Sequence, residues 1–178
     1  MAKPGWVVVG VIALVAIGTG VGSYNSLVQR HEAIQESWAQ VENVLQRRYD
    51  LIPNLVNTVK GYAAHERTLF EEVTRLRSQW GEAKTVDENV AAAQSLEGAL
   101  GRLLLIVERY PELKANQNFL ALQDELAGTE NRIAVERRRY NESIRSYNVA
   151  VRGFPSNLVA ALARFKPSSA YFESAAEA

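Results

Sequence analysis

The sequence predicts an all-α protein: one N-terminal transmembrane helix continuous with an antiparallel up-down-up-down four-helix bundle, then a short C-terminal helical or interfacial tail. Three observations carry this. Residues 4–29 contain no charged side chain. Downstream, apolar residues recur at heptad spacing in nearly every segment. The five prolines (Pro4, Pro53, Pro111, Pro155 and Pro167) stand at the edges of those segments. A helix interior rejects proline but its first turn tolerates it, so these positions read as boundaries.

Crossing a bilayer takes roughly 20 apolar residues at ~1.5 Å of rise each. The run from Trp6 to Leu27 and Val28 supplies them, with Trp6 and Tyr24 near its two ends, where amphipathic rings favour the interface. A cleaved signal peptide is the rival reading. Against it, the basic region is only Lys3 and the α-amine, the apolar stretch is long, and no convincing Ala-x-Ala site follows. Gly18 and Gly22 form a small-xxx-small pair, and Ala16 and Gly20 a second, which lets two helix backbones approach in lipid. The plainer reading is the ordinary glycine content of membrane helices.

The first helix is expected to run unbroken to about Tyr49, with Leu27, Ile34, Trp38, Val41 and Leu45 on one face. A second opens at Ile52 and Pro53, carries Leu55, Tyr62, Leu69 and Leu76 in one series and Val59, Val73 and Trp80 in the other, and ends near Gly81. Thr85-Val-Asp-Glu88 reads as a capping box for a third helix that closes at Tyr110 and Pro111. The fourth is marked by Phe119, Leu126, Ile133, Tyr140 and Tyr147, and stops at Gly153 before Phe154 and Pro155. Short connections favour antiparallel neighbours. The chain thus divides into residues 1–28 (tail and transmembrane helix), 29–153 (bundle) and 154–178 (amphipathic segment and tail).

Composition narrows the function. The 20 basic and 20 acidic residues balance, which argues against a nucleic-acid partner. Cysteine is absent, which excludes disulfides, thiolate metal sites, cysteine nucleophiles and a lipidated-cysteine anchor. His31-Glu-Ala-Ile-Gln35 imitates the start of a zincin motif without its second histidine, and His65-Glu66 fails likewise. No phosphate-binding glycine loop or nucleophile elbow is present. Neither an enzyme nor a cofactor is expected.

Polar residues on apolar faces carry the sharper signals. Glu66 occupies a heptad position that calls for an apolar side chain, so it should meet a cation, with Arg48, Lys60 and an arginine of the fourth helix as candidates. Asn54 stands where it can cap the second helix or bond across the bundle. Asn141 and Asn148 lie beside the Tyr140 and Tyr147 seam. Together with Arg48, Asn54, Lys60 and Glu66 they make a candidate buried polar network or partner site, the blander reading being a structural network that fixes helix register. Glu136-Arg-Arg-Arg139 reads as a solvated face with one arginine reaching inward. After Pro155, Leu158, Val159, Leu162 and Phe165 interleave with Arg164 and Lys166. If the fourth helix descends toward the membrane, Leu158, Leu162 and Phe165 make a membrane-proximal amphipathic element; the alternative is a tail packed on the bundle.

Several stretches resemble the LemA family. Tyr24-Asn-Ser-Leu-Val28 follows the apolar segment, and Arg47-Arg-Tyr-Asp-Leu-Ile-Pro-Asn-Leu-Val56 runs into Val59-Lys-Gly-Tyr-Ala-Ala-His-Glu66. Later come Tyr110-Pro-Glu-Leu-Lys-Ala-Asn116, Thr129-Glu-Asn-Arg-Ile-Ala134, Phe154-Pro-Ser-Asn157 and Phe165-Lys-Pro167. The resemblance implies a bacterial membrane protein with a helical bundle and no generally accepted activity.

The expected function is a non-enzymatic scaffold or membrane-organising adaptor of the bacterial cell (inner) membrane, single-pass and homo-oligomeric, with the lipid bilayer and other membrane proteins as partners. Lys3 alone precedes the span while Arg30, Arg47 and Arg48 follow, which leans toward a cytoplasmic bundle. The alternatives are a membrane-anchored sensory or ligand-binding bundle lined by groups such as Tyr62, Glu66, Tyr140 and Asn141, or a regulator of a membrane protease.

Overall fold

The computed structural model describes residues 4–63 and 65–172. Every regular element among them is helical: α1 Pro4–Lys60, α2 Arg67–Glu82, α3 Val86–Val107, α4 Pro111–Lys114, α5 Gln117–Arg152 and α6 Ser156–Ala163. They divide into two compact units. One joins α1 up to Trp38 with Arg139–Tyr171; the other joins Ala39–Arg138 with Phe172.

In the unit of residues 39–138, α1 does not stop near Tyr49. It continues to Lys60 with Pro53 inside it. A proline there deprives the Tyr49 carbonyl of its helical donor, a defect of about 3 kcal/mol in a helix interior. Arg77 of α2 donates its Nε–H to that carbonyl at 3.2 Å. Ile52, Leu55, Val56 and Val59, flanking the break, are all buried. At ~1.5–3 kcal/mol for each such side chain, packing outweighs the lost bond. The apolar series expected for one helix is therefore shared between the end of α1, the turn at Tyr62 and α2.

Chain neighbours in this unit run antiparallel. Along α1 and α2, Tyr49 packs at a tilt against Trp80 (centroids 4.1 Å apart) while Lys60 lies over Phe70. Along α2 and α3, Glu66 meets Arg109 and Glu72 meets Arg102. The capping box of α3 is formed: the Thr85 hydroxyl accepts from the Glu88 N–H at 3.2 Å, and the Glu88 carboxylate accepts from Lys84 and Thr85 N–H groups. Those two backbone donors hold the Glu88 carboxyl below the usual carboxylate range. By length and composition α3 is apolar enough to cross a membrane. Its Val90, Leu96, Leu100, Leu103 and Val107 are instead buried in this core. A single turn, α4, precedes α5, and Asn116 caps α5 by accepting from the Phe119 N–H at 3.0 Å.

In the other unit, ring pairs set the packing of α1 against α5. His31 meets Tyr147 at 5.5 Å and Trp38 meets Tyr140 at 5.4 Å, so the two helices run antiparallel here. Leu27, Tyr147, Val151 and Ala160 of α6 form the buried cluster, with Ile34, Ala150, Val159 and Phe165 against it.

Candidate functional site

Arg48, Lys60, Glu66 and Asn148 each have a partner outside the set expected from the sequence. Arg48, only 11% exposed, is bridged to Glu130 of α5 at 2.6 Å. Asn54 is an exposed interior residue of α1 rather than a cap, and its carbonyl accepts from the Thr58 hydroxyl. The Lys60 ammonium lies over the Phe70 ring at 5.8 Å. Glu66 precedes α2 as its N-cap residue, so it is no interior heptad position, and it pairs with Arg109 of α3 at 3.1 Å. None of the three candidate cations is the partner found: heptad counting ran through a turn. Asn141 is half-buried and Asn148 buried. The Asn148 side chain donates to the Ser168 carbonyl and the Tyr171 hydroxyl and accepts from the Ser168 N–H, so it holds the tail against α5.

One arginine of the 136–139 run does reach inward. Arg137, 16% exposed, pairs with Glu97 at 2.9 Å and lies over the Phe172 ring. Between Arg48 and Arg137 sits Tyr49, whose buried hydroxyl has no hydrogen-bond partner. Burial pushes its phenol above the ordinary tyrosine value, although both arginines pull the other way. Trp80 Nε1 and further N–H groups of Arg48 and Arg137 are also buried without partners. From the sequence, Tyr49 was read only as the approximate end of the first helix and Trp80 only as an apolar heptad residue.

From Gly5 to Thr19 α1 is exposed all round, including Trp6, Val9, Ile12, Val15 and Ile17. At Gly18 and Gly22 open space stands where a Cβ would be. At its charged end, Tyr24 packs on Phe165 at 5.8 Å and Leu27 packs on Ala160, which sets α6 beside the residues where the uncharged run stops.

This short helix has two apolar faces. Val159 and Ala160 pack inward; Leu158 and Leu162 stand outward at 58% and 87% exposure, as does Phe154 in the turn before the helix at 83%. Arg164 takes the left-handed conformation (φ 61°) at its C-terminus, and the Phe165 N–H returns to the Ala160 carbonyl at 2.9 Å. That turn aims Phe165 back onto Tyr24. Of the expected membrane-proximal trio, Leu158 and Leu162 face out and Phe165 faces in.

This arrangement has the physical character of a bilayer contact: an apolar helix exposed on every side and a second apolar face at its exit. Among the described residues no group of His, Asp and Glu has metal-binding geometry. A family model described as the LemA family matches residues 37–178. The chain belongs to the LemA family.

Relatives within reach of this LemA-family chain carry two kinds of name. Magnetosome protein MamQ of Magnetospirillum gryphiswaldense is 30% identical over 186 residues, spanning 89% of this chain and 68% of that protein. Magnetosome protein MamQ 2 of Paramagnetospirillum magneticum is 28% identical, spanning 93% and 71%. Protein LemA of Metamycoplasma hominis is 27% identical over 142 residues, spanning 79% and 64%. None of these names is that of an enzyme. The family match takes in all of α2 to α6 and begins within α1, past its uncharged part. An N-terminal apolar helix joined to such a chain fits a membrane protein.

Proposed function

We propose that this LemA-family protein is a non-enzymatic scaffold of the bacterial cell membrane, anchored by a single pass of α1 and self-associating within the bilayer. The observation that carries the reading is the exposed apolar surface of α1 together with the outward face of α6 at its exit. Burying apolar surface stabilises at about 25 cal/mol per Å², so neither surface is suited to water. The open positions at Gly18 and Gly22 support close approach of a second span. The lean of basic residues toward the side after the span supports a cytoplasmic bundle.

Particle mass of the full chain, extracted gently from native membranes, tests the scaffold. A closed oligomer that shrinks in Gly18→Leu and Gly22→Leu variants is expected. A monomer in the wild type overturns it. Sidedness is read from a Ser169→Cys variant, since the chain has no other thiol; labelling by an impermeant maleimide in intact cells would place the bundle outside.

A second reading, a ligand-sensing bundle, is favoured by the buried unpartnered donors around Tyr49 and Trp80. A small molecule with acceptor groups that raises the unfolding midpoint of the wild type but not of Tyr49→Phe would support it; equal shifts in both would count against it.

A further inference from the structure

We propose that the groove where α1 leaves the membrane holds the phosphodiester headgroup of an anionic phospholipid, with Arg30 and Arg145 as its phosphate ligands. The inference rests on the membrane reading of α1 and goes beyond it, because an anchor needs no headgroup site. An open groove of about 870 Å³ lies between α1, from Thr19 and Gly22 to Arg30, and the end of α5 with the turn into α6. Its floor and walls change character along α1. Thr19 and Gly22 belong to the uncharged run, and Phe154 flanks the same end; Ser26, Arg30 and Arg145 line the other.

Position makes this a lipid site. Counted at ~1.5 Å per residue from Trp6, about 30 Å of hydrocarbon is crossed near Asn25. The groove therefore begins in the acyl region and ends among headgroups. A freely diffusing anion needs no such apolar end.

Arg30 is held in place, and both cations are available. Arg30 donates Nε–H to Ser26 on its own helix at 3.3 Å and Nη1–H to Ser146 of α5, so its guanidinium is fixed between the two helices. Among the described residues no carboxylate lies within ion-pair distance of Arg30, Arg145 or Arg152. Elsewhere, Arg48, Arg102, Arg109 and Arg137 are all bridged to glutamates. Glu142 also lines the groove, which leaves it one net positive charge. Arg145 and Arg152 line an adjoining groove of about 600 Å³, which extends the basic surface. Guanidinium forks suit phosphate oxygens, and their attraction is strengthened where water is scarce.

The test uses the full chain in a neutral detergent, with phosphatidylglycerol and phosphatidylcholine titrated in turn and bound lipid counted by native mass spectrometry. Wild type is expected to prefer phosphatidylglycerol. The double variant Arg30→Gln, Arg145→Gln should lose that preference by about tenfold or more, as expected for charge-assisted hydrogen bonds. A control with the same loss of charge, Arg132→Gln with Arg138→Gln, both exposed in the other unit, should keep it. Equal loss in the control overturns the site in favour of diffuse charge. Displacement of the lipid by inorganic phosphate at equal concentration overturns it in favour of a soluble anion. Flotation of the wild type with phosphatidylcholine vesicles separates the two readings. A chain that floats without preferring phosphatidylglycerol refutes the headgroup site and leaves the anchor standing. A chain that does not float refutes the anchor, and the site with it.

Discussion

At Pro53 a helix continues through a residue that ordinarily ends one: packing of Ile52, Leu55, Val56 and Val59 outweighs the lost bond, and Arg77, 24 positions away, satisfies the orphaned Tyr49 carbonyl. Replacing Arg77 with Met is expected to destabilise the bundle by about 1 kcal/mol. In a Pro53→Ala background the Tyr49 carbonyl regains its helical donor, so the same change should lose most of its effect. A double-mutant cycle by urea unfolding of the full chain in detergent measures this; strict additivity would refute the account. Arg48 makes a related point about buried charge. Glu130→Ala strands an arginine that is 11% exposed and should lose about 1–3 kcal/mol. Arg48→Met removes the charge together with its need for a partner and should change stability by less than about 1 kcal/mol. If Arg48→Met proves the more damaging of the two, the bridge contributes net stability and the desolvation argument fails.

Helix ends show how local chemistry sets an element's limits. The Thr85 box at the start of α3 was legible in four residues, because both of its bonds lie within them. Thr85→Ala should lower stability by about 1 kcal/mol. The partner carboxyl adds a pH signature. Glu88 has its folded pKa below its unfolded value. Its contribution is therefore complete above the ordinary glutamate range and is lost as pH falls through the folded pKa. Relative to wild type, Glu88→Gln should flatten the acid limb of the stability profile; superimposable limbs would rule out the box as its source. For α6 the test is depth in lipid. A fluorophore on Leu162→Cys should be quenched by lipids labelled near the headgroup end of the acyl chain, and one on Ile12→Cys by lipids labelled deeper. Quenching at Ile12 alone would leave α6 off the membrane; a blue-shifted but unquenched Leu162 label would mean that a second protein surface covers it.

For the molecule as a whole, what could be read from the sequence was what a contiguous window contains. The absence of charge over residues 4–29 marked the apolar helix, and the spacing of Phe119, Ile133 and Tyr147 marked α5, because charge and periodicity need no knowledge of the rest of the chain. The apolar segment after Pro155 was legible for the same reason. The partners of the polar side chains were not. Glu66 looked like a buried heptad residue, yet it stands at the N-cap position of α2, with no side-chain bond to the helix end, and meets Arg109. Arg137 could not be told from Arg138 or Arg139 by position, and only packing against Glu97 and Phe172 selected it. Arg30 and Ser146, 116 positions apart, became neighbours through the antiparallel pairing of α1 with α5. Sequence by itself determined that the chain is helical, where it is apolar and where one helix begins with a cap, since these follow from short-range sterics and transfer free energies. Only tertiary structure decided that α1 passes through Pro53, which face of α6 remains outward and which arginines stay free of carboxylates. Those outcomes depend on groups remote in sequence, whose packing energies exceed the local preferences they override.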